Sequence, residues 1–160
     1  MTDTTKLVLE AWSAHDRINV LLIDGIPARG FAAVPSLSKG RTVAEQFIHM
    51  RRVRLGWLHY HRTGKKSKAV KGSVGRFSRA SLRKSFMESG EEVALFLEEA
   101  LEGGAKTRAF RRNPVRWMAY LISHESHHRG QIMLALKQNG MRMPESISMA
   151  GLWGKWMWGK

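Results

Sequence analysis

The chain contains no cysteine among its 160 residues. This absence excludes disulfides, thiolate metal ligands and a cysteine nucleophile, and it leaves imidazole and carboxylate groups as the available metal ligands. The chain also lacks a run of the roughly 20 apolar residues that span a membrane, and its N-terminus has no apolar segment of signal-peptide length. We therefore predict a cytoplasmic protein with no membrane partner.

Acidic residues are also scarce: 13 Asp and Glu stand against 27 Lys and Arg, which gives a formal net charge of +14. Such a charge points to nucleic acid or another polyanion as a partner. However, no known nucleic-acid module accompanies the basic clusters, and the aromatic residues are not interleaved with them as in a base-stacking surface. Solvated basic loops explain the charge equally well. A non-catalytic basic protein that binds nucleic acid or another polyanion is thus an alternative function, which we do not favour.

Turn and capping residues divide the chain into four predicted helices, over about residues 5–22, 42–63, 78–101 and 114–138. Thr42 and Glu45 have the T-x-x-E spacing of a capping box, and Asn113 followed by Pro114 is typical of a helix start. No stretch alternates with the period of a strand. A basic loop over 65–77 separates the second and third helices.

These elements predict an all-α fold, in one domain over residues 1–160. We expect an antiparallel four-helix bundle with long connecting loops. The remaining C-terminal tail, 141–160, is predicted to be mostly irregular. It contains Trp153, Trp156 and Trp158, which we expect to cover one end of the bundle or to contribute to an oligomer contact.

The most informative segment is His124 to Gln131, with the sequence HESHHRGQ, because three of its first five residues are histidine. Each residue of a helix turns by roughly 100°, so His124 and His128 stand about 40° apart on one face. They share this face with Trp117 and Leu121, which should point to the core. One helix can offer two imidazoles to a metal in this way. The structural alternative is a pair of partly buried histidines with hydrogen bonds.

A third imidazole is available from the second predicted helix. His49 lies at the edge of its apolar stripe, and Gly56 would leave space two turns further on. Catalytic zinc sites typically have three protein ligands and an open position, and two facing helices can supply them. We therefore predict that His49, His124 and His128 bind one divalent ion. Zinc or nickel is expected first, and iron or copper also suits imidazole ligands.

The other four histidines are not predicted as ligands. His15 lies on the apolar side of the first helix and reads as a core residue or as a partner of a ligand. His127 projects about 100° away from His128. His59 and His61 are expected to be exposed near the end of the second helix.

The same segment also satisfies the zinc-protease signature H-E-x-x-H, with Glu125 as the general base. A metzincin would need a further histidine where this chain has Leu134, and a thermolysin-like enzyme would need a glutamate on a later helix. No strands are predicted to align a peptide substrate. The protease is therefore a lesser alternative.

Two further residues are candidates for catalytic roles. Gln131 lies one turn beyond His128 and could orient a water or the substrate, or it could form a hydrogen bond between helices. Glu45 lies one turn before His49 and could act as a general base, although the capping box also accounts for it.

A second apolar side of the fourth helix, roughly opposite the histidines, suggests a buried face and hence a symmetric dimer. Its members are Met118, Ile122, Met133 and Leu136.

The whole chain resembles the DinB/YfiT-like group of metalloenzymes, which includes thiol-dependent S-transferases. The resemblance rests on the histidine of the second helix, on the H-x-x-x-H-R-G-Q pattern from His124 to Gln131 and on the Trp-containing C-terminus. It implies a four-helix bundle, a frequent homodimer and three metal-binding histidines, which match His49, His124 and His128. We therefore expect an enzyme in which the metal activates a small thiol or water, for S-transfer or hydrolysis of a small-molecule substrate.

Overall fold

The computed structural model describes residues 1–36, 40–67 and 78–159. Four long helices dominate it, and two short ones follow in the tail: α1 (Asp3–Gly25), α2 (Val43–Thr63), α3 (Arg79–Leu101), α4 (Pro114–Gln138), α5 (Glu145–Ser148) and α6 (Gly154–Trp158). Short 3₁₀ turns occur at Ala28–Ala32 and Phe110–Arg112. No strand is present in these three ranges, so the predicted all-α fold is confirmed.

Local capping chemistry sets the ends of the long helices. The Thr42 hydroxyl accepts from the Glu45 N–H at 3.2 Å, and the Glu45 carboxylate accepts from the Thr42 N–H at 2.8 Å, which is the predicted capping box. Gly64 ends α2 with a φ of 73°, in the left-handed region that glycine favours. Asn113 caps α4. The predicted helices are therefore confirmed, although α1 extends beyond its predicted range at both ends.

Two loop predictions have different outcomes. The tail is more ordered than predicted, because α5 and α6 form within 141–160 and pack against α1. The indoles of Trp153 and Trp158 nevertheless stay largely exposed. Most of the predicted basic loop, residues 68–77, lies outside the described residues.

The helices form a bundle with mixed directions rather than a purely antiparallel one. α1 pairs antiparallel with α3, since Asp24 of α1 meets Arg83 and Thr5 meets Glu102 near the other end. α2 and α3 run parallel, because Arg51 contacts the start of α3 and Arg62 contacts its middle.

A layer of buried polar side chains divides the core into two apolar clusters. One cluster surrounds Phe47 and Phe86, and the other surrounds Trp12 and Trp117. Met118 and Leu136 belong to these clusters, so the predicted second apolar side of α4 is in part core of the same chain. The polar layer consists of His15, Asp16, Asn19, Arg54, Ser89 and Glu125.

No helix in the described parts of the chain combines the length and the apolar character needed to cross a membrane.

Candidate metal centre

The structure brings together the three histidines that the sequence predicts as ligands. His49 extends from α2, and His124 and His128 extend from adjacent turns of α4. Ring centroids are separated by 5.2 Å for His49–His124, 4.9 Å for His49–His128 and 4.7 Å for His124–His128. One nitrogen of each ring lies within 4.8 Å of the others. Three converging imidazole nitrogens are a donor set that suits a borderline divalent ion.

Hydrogen bonding around these rings also fits a metal. The Nδ1 atom of His124 is buried and has no hydrogen-bond partner among the described residues. A buried polar atom without a partner is costly, and a bound cation would satisfy it. The Nδ1 atom of His128 lies 3.3 Å from the amide oxygen of Gln46. An Nδ1–H of His128 can donate to this oxygen, and in that tautomer the lone pair of Nε2 is available to a ligand.

The electrostatic environment keeps these imidazoles neutral. Burial lowers the pKa of His49 and of His124 below the ordinary 6.5. The pKa of His128 falls to about 4, because of burial first and then the positive charge that His124 and His49 would carry. Neutral imidazole is the form that binds metal, so the three rings are in their ligand state at pH 7.

A cavity of about 440 Å³ is linked to the cluster through Tyr120, although none of the three clustered histidines lines it. Trp57, Tyr60 and Tyr120 line it, and the Tyr120 ring stacks on His124 at 5.8 Å with an interplanar angle of 20°. Gly56 also lines it, and no atom lies within 4 Å of the position that a Cβ would take there. The space expected from Gly56 is therefore present, and the cavity is large enough to admit a small molecule.

Neither of the two predicted catalytic residues lines this cavity. The Gln131 amide lies 2.9 Å from Nε2 of the exposed His127. The Glu45 carboxylate is exposed and accepts from Thr42, whose hydrogen bonds lower the Glu45 pKa. These contacts account for both side chains, and their catalytic roles stay predictions.

Glu125 has a structural partner that the sequence analysis missed. Its two carboxylate oxygens accept from Nε and Nη2 of Arg54 at 2.6 and 2.7 Å, and both groups are fully buried. Burial alone would raise the Glu125 pKa, but the charge and hydrogen bonds of Arg54 outweigh it and lower the pKa to about 2. So weak a base, with both oxygens occupied, does not suit the general base of an H-E-x-x-H protease. Its spacing from Trp117 and Leu121, two turns and one turn before it on α4, places Glu125 on the buried face.

Gln46 is a second residue whose role the sequence did not indicate. Gln46 lies three residues before His49 on α2, and its amide oxygen contacts Nδ1 of His128. The available signal in the sequence was an amide side chain on the helix that also carries a candidate ligand, because metal-binding histidines usually have a hydrogen-bond partner.

The remaining histidines match their predictions with one exception. His15 is a buried core residue 2.8 Å from the Glu125 carboxylate, and His127 and His59 are exposed. His61, predicted to be exposed, is only 2% exposed. Its ring stacks on Phe96 and meets the edge of Trp117, and its Nδ1 accepts from the Arg108 N–H. The end of α2 is therefore covered by aromatic side chains and by the segment before α4.

Comparisons with known proteins bear on the family. No curated protein matches the chain. The family model described as DinB matches residues 1–156, which is nearly the whole chain. A match of that extent agrees with the helical bundle and with the histidines from α2 and α4. The chain therefore belongs to the DinB family.

Proposed function

We propose that His49, His124 and His128 bind one divalent metal ion and that the protein is a metal-dependent enzyme acting on a small molecule. The observation that carries this proposal is the convergence of three ring nitrogens within 4.8 Å. Zinc or nickel is the first expectation, and iron or copper is also compatible with imidazole ligands. A bound ion of this kind supplies Lewis acidity, which lowers the pKa of a water or thiol.

The chain's own residues would hold and orient the reactants. Gln46 fixes the ring of His128 through Nδ1, so that Nε2 keeps one direction. The aromatic cavity around Trp57 and Tyr120 binds the apolar part of the substrate and excludes water from it. Gln131 would orient the substrate or a water once its hydrogen bond to His127 breaks. Glu45 would accept a proton once its hydrogen bond from Thr42 breaks.

The reaction that we propose is transfer to or from the sulfur of a low-molecular-weight thiol, or hydrolysis. Because the chain has no cysteine, the thiol would be a co-substrate. Reduced low-molecular-weight thiols are abundant in the cytosol, which supports a cytoplasmic location. Membership of the DinB family supports a homodimer as part of the same proposal.

Elemental analysis of untagged protein tests the metal site. We expect about one divalent ion per chain in the wild type, and less than a tenth of that in His49→Ala and in His128→Ala. His59→Ala is the matched control, because His59 lies on the same helix as His49 and is exposed. Circular dichroism should show that all variants keep their helices. A wild type without metal after incubation with zinc or nickel and dialysis would contradict the proposal.

Activity assays then separate the two reactions. The metal-loaded protein is tested for consumption of a small thiol with an alkyl halide and for hydrolysis of an aryl ester. We expect at least one of these rates to follow metal occupancy and to disappear in His49→Ala. Rates that are equal in the wild type and in His49→Ala would count against an enzyme of this type.

A further inference from the structure

A second cavity, which we call the tail groove, lies between α4 and the C-terminal tail. Its volume is about 840 Å³, within the range of ligand-binding sites. None of the three clustered histidines lines it. Much of its wall is apolar, including Ile122, Met133, Met149, Leu152, Trp153 and Trp156. Trp153 and Met149 are 59% and 54% exposed, so the groove presents uncovered apolar surface to solvent.

The charged side chains of the tail groove are all positive. Arg129, Lys137 and Arg142 line it, and no Asp or Glu does. Apolar walls combined with cations alone are complementary to a molecule that has an apolar body and a negative charge.

Arg129 shows where that negative charge would bind. Its Nη1 donates to Oδ1 of Asn19 at 2.8 Å and lies 3.4 Å from Nδ1 of His15, and its Nη2 donates to the hydroxyl of Ser126 at 2.7 Å. All three partners are neutral, because burial lowers the pKa of His15, and no carboxylate oxygen of the described residues lies within 4.0 Å of this guanidinium. Glu125 is not available, because its oxygens already accept from Arg54 and Asn19. A partly buried cation with only neutral partners is a site that favours an anion.

We propose that the tail groove binds a single-chain amphiphilic carboxylate, with its head group on Arg129. A guanidinium suits a carboxylate because its N–H groups match the two oxygens. Met133 and Met149 provide flexible, polarizable surface that adapts to an unbranched alkyl chain. Trp153 and Trp156 would cover the same alkyl chain of the ligand. This site is separate from the proposed metal centre, so it does not depend on the proposed reaction.

Calorimetric titration of the full-length, metal-free protein with monomeric decanoate tests the proposal. We expect one decanoate per chain, and a dissociation constant at least tenfold lower than that of uncharged decan-1-ol. Arg129→Gln should raise the decanoate constant at least tenfold, because it removes the charge and keeps a polar side chain. Arg116→Gln, at an exposed arginine of the same helix, should change it less than twofold.

Two further variants keep the test decisive if Arg129→Gln does not fold. Arg142→Gln and Trp153→Ala replace exposed residues of the tail groove, and each should weaken decanoate binding at least threefold without loss of helix content. Decanoate that binds no better than decan-1-ol, or equally to wild type and groove variants, would overturn the proposal.

Two further experiments distinguish other occupants of the tail groove. Binding to vesicles that contain phosphatidylglycerol, with no binding of monomeric decanoate, would replace the proposal with a membrane surface. A dimer in sedimentation analysis that dissociates in Trp153→Ala would replace it with a second copy of the chain.

Discussion

The Arg54–Glu125 network and the three-histidine cluster both join α2 to α4, although the network also includes Asp16 of α1, and their polar atoms are in opposite situations. In the network, every oxygen of Glu125 accepts hydrogen bonds, and Arg54 also donates to Asp16 at 2.8 Å. In the cluster, a buried nitrogen of His124 has no partner among the described residues. His124 and Glu125 are neighbours in the sequence. One face of α4 is thus complete within the chain, and the adjacent face is complete only with a ligand.

The comparison predicts that the network stabilises the fold, whereas the cluster mainly serves binding. Removing one member of a buried ion pair leaves the other charge uncompensated. Removing an imidazole that has no partner removes an unsatisfied atom instead.

The largest expected effect is on the network. Arg54→Met should lower the free energy of unfolding by about 3–5 kcal/mol, because it leaves Glu125 charged and buried. Urea unfolding of the metal-free protein measures it. The double variant with Glu125→Met should lose less than the single variant, since no unpaired glutamate remains. A loss below about 1 kcal/mol in Arg54→Met would refute the assigned role of the network.

The pH dependence should separate the two regions. The His128 pKa is lowered from 6.5 to about 4, so the unfolded chain binds more protons between these values and stability falls as pH falls through this window. Glu125, lowered from 4.5 to about 2, loses its contribution between about pH 4.5 and 2.

Between pH 6.5 and 4, the wild type should therefore lose roughly 2–3 kcal/mol of its free energy of unfolding, and His128→Leu should not lose this amount. Between pH 4.5 and 2, the two proteins should lose the same amount. Thermal unfolding in the presence of a chelator, from pH 7 to pH 2, measures both. The control is His59→Leu, at an exposed position, which should keep the wild-type curve. An unchanged upper window in His128→Leu would contradict the lowered pKa.

A smaller effect is expected from the partner of His128. Gln46→Leu removes the acceptor for Nδ1, so metal affinity should fall about 10–100-fold, as is typical when a ligand loses its orienting hydrogen bond. Competition with a chromophoric chelator measures the affinity. Gln131→Leu should change it less than threefold, because the Gln131 amide contacts His127 rather than a clustered histidine. Equal losses in both variants would show that Gln46 has no special role.

The smallest effect on stability is expected within the cluster itself. His124→Leu should change the free energy of unfolding of the metal-free protein by less than about 1 kcal/mol, because the buried Nδ1 atom has no partner to lose. The same variant should not retain metal. Urea unfolding and elemental analysis of one preparation measure both quantities. A loss comparable to that of Arg54→Met would erase the contrast between the two regions.

Local features were predictable from the sequence, and features that depend on the order of the helices were not. The capping box at Thr42 and the spacing of His124 and His128 involve contacts within one helix, which sequence spacing determines. The prediction of His49 as a third ligand required only that α2 and α4 face each other. The directions of α2 and α3, and the ion pair of Arg54 with Glu125, depend on how helices distant in sequence pack together.

His61 and Glu125 show the limit of reasoning by residue type. Polar residues are usually exposed near helix ends, and His61 is buried because Phe96, Trp117 and the Arg108 backbone surround it. The H-E-x-x-H motif marks Glu125 as a general base, whereas its position on α4 is a core position. Apolar spacing identifies the buried face, but it does not identify which polar residues on that face find a partner.

The polar layer between the two apolar clusters also controls how α2 and α4 can slide past each other. Apolar side chains tolerate a shift of one helical turn, about 5.4 Å, far better than a buried ion pair does. Such a shift would separate Arg54 from Glu125 and, in the same movement, His49 from His128. The ion pair therefore locks the longitudinal alignment of the two helices, and the histidines keep a common centre even when nothing is bound between them.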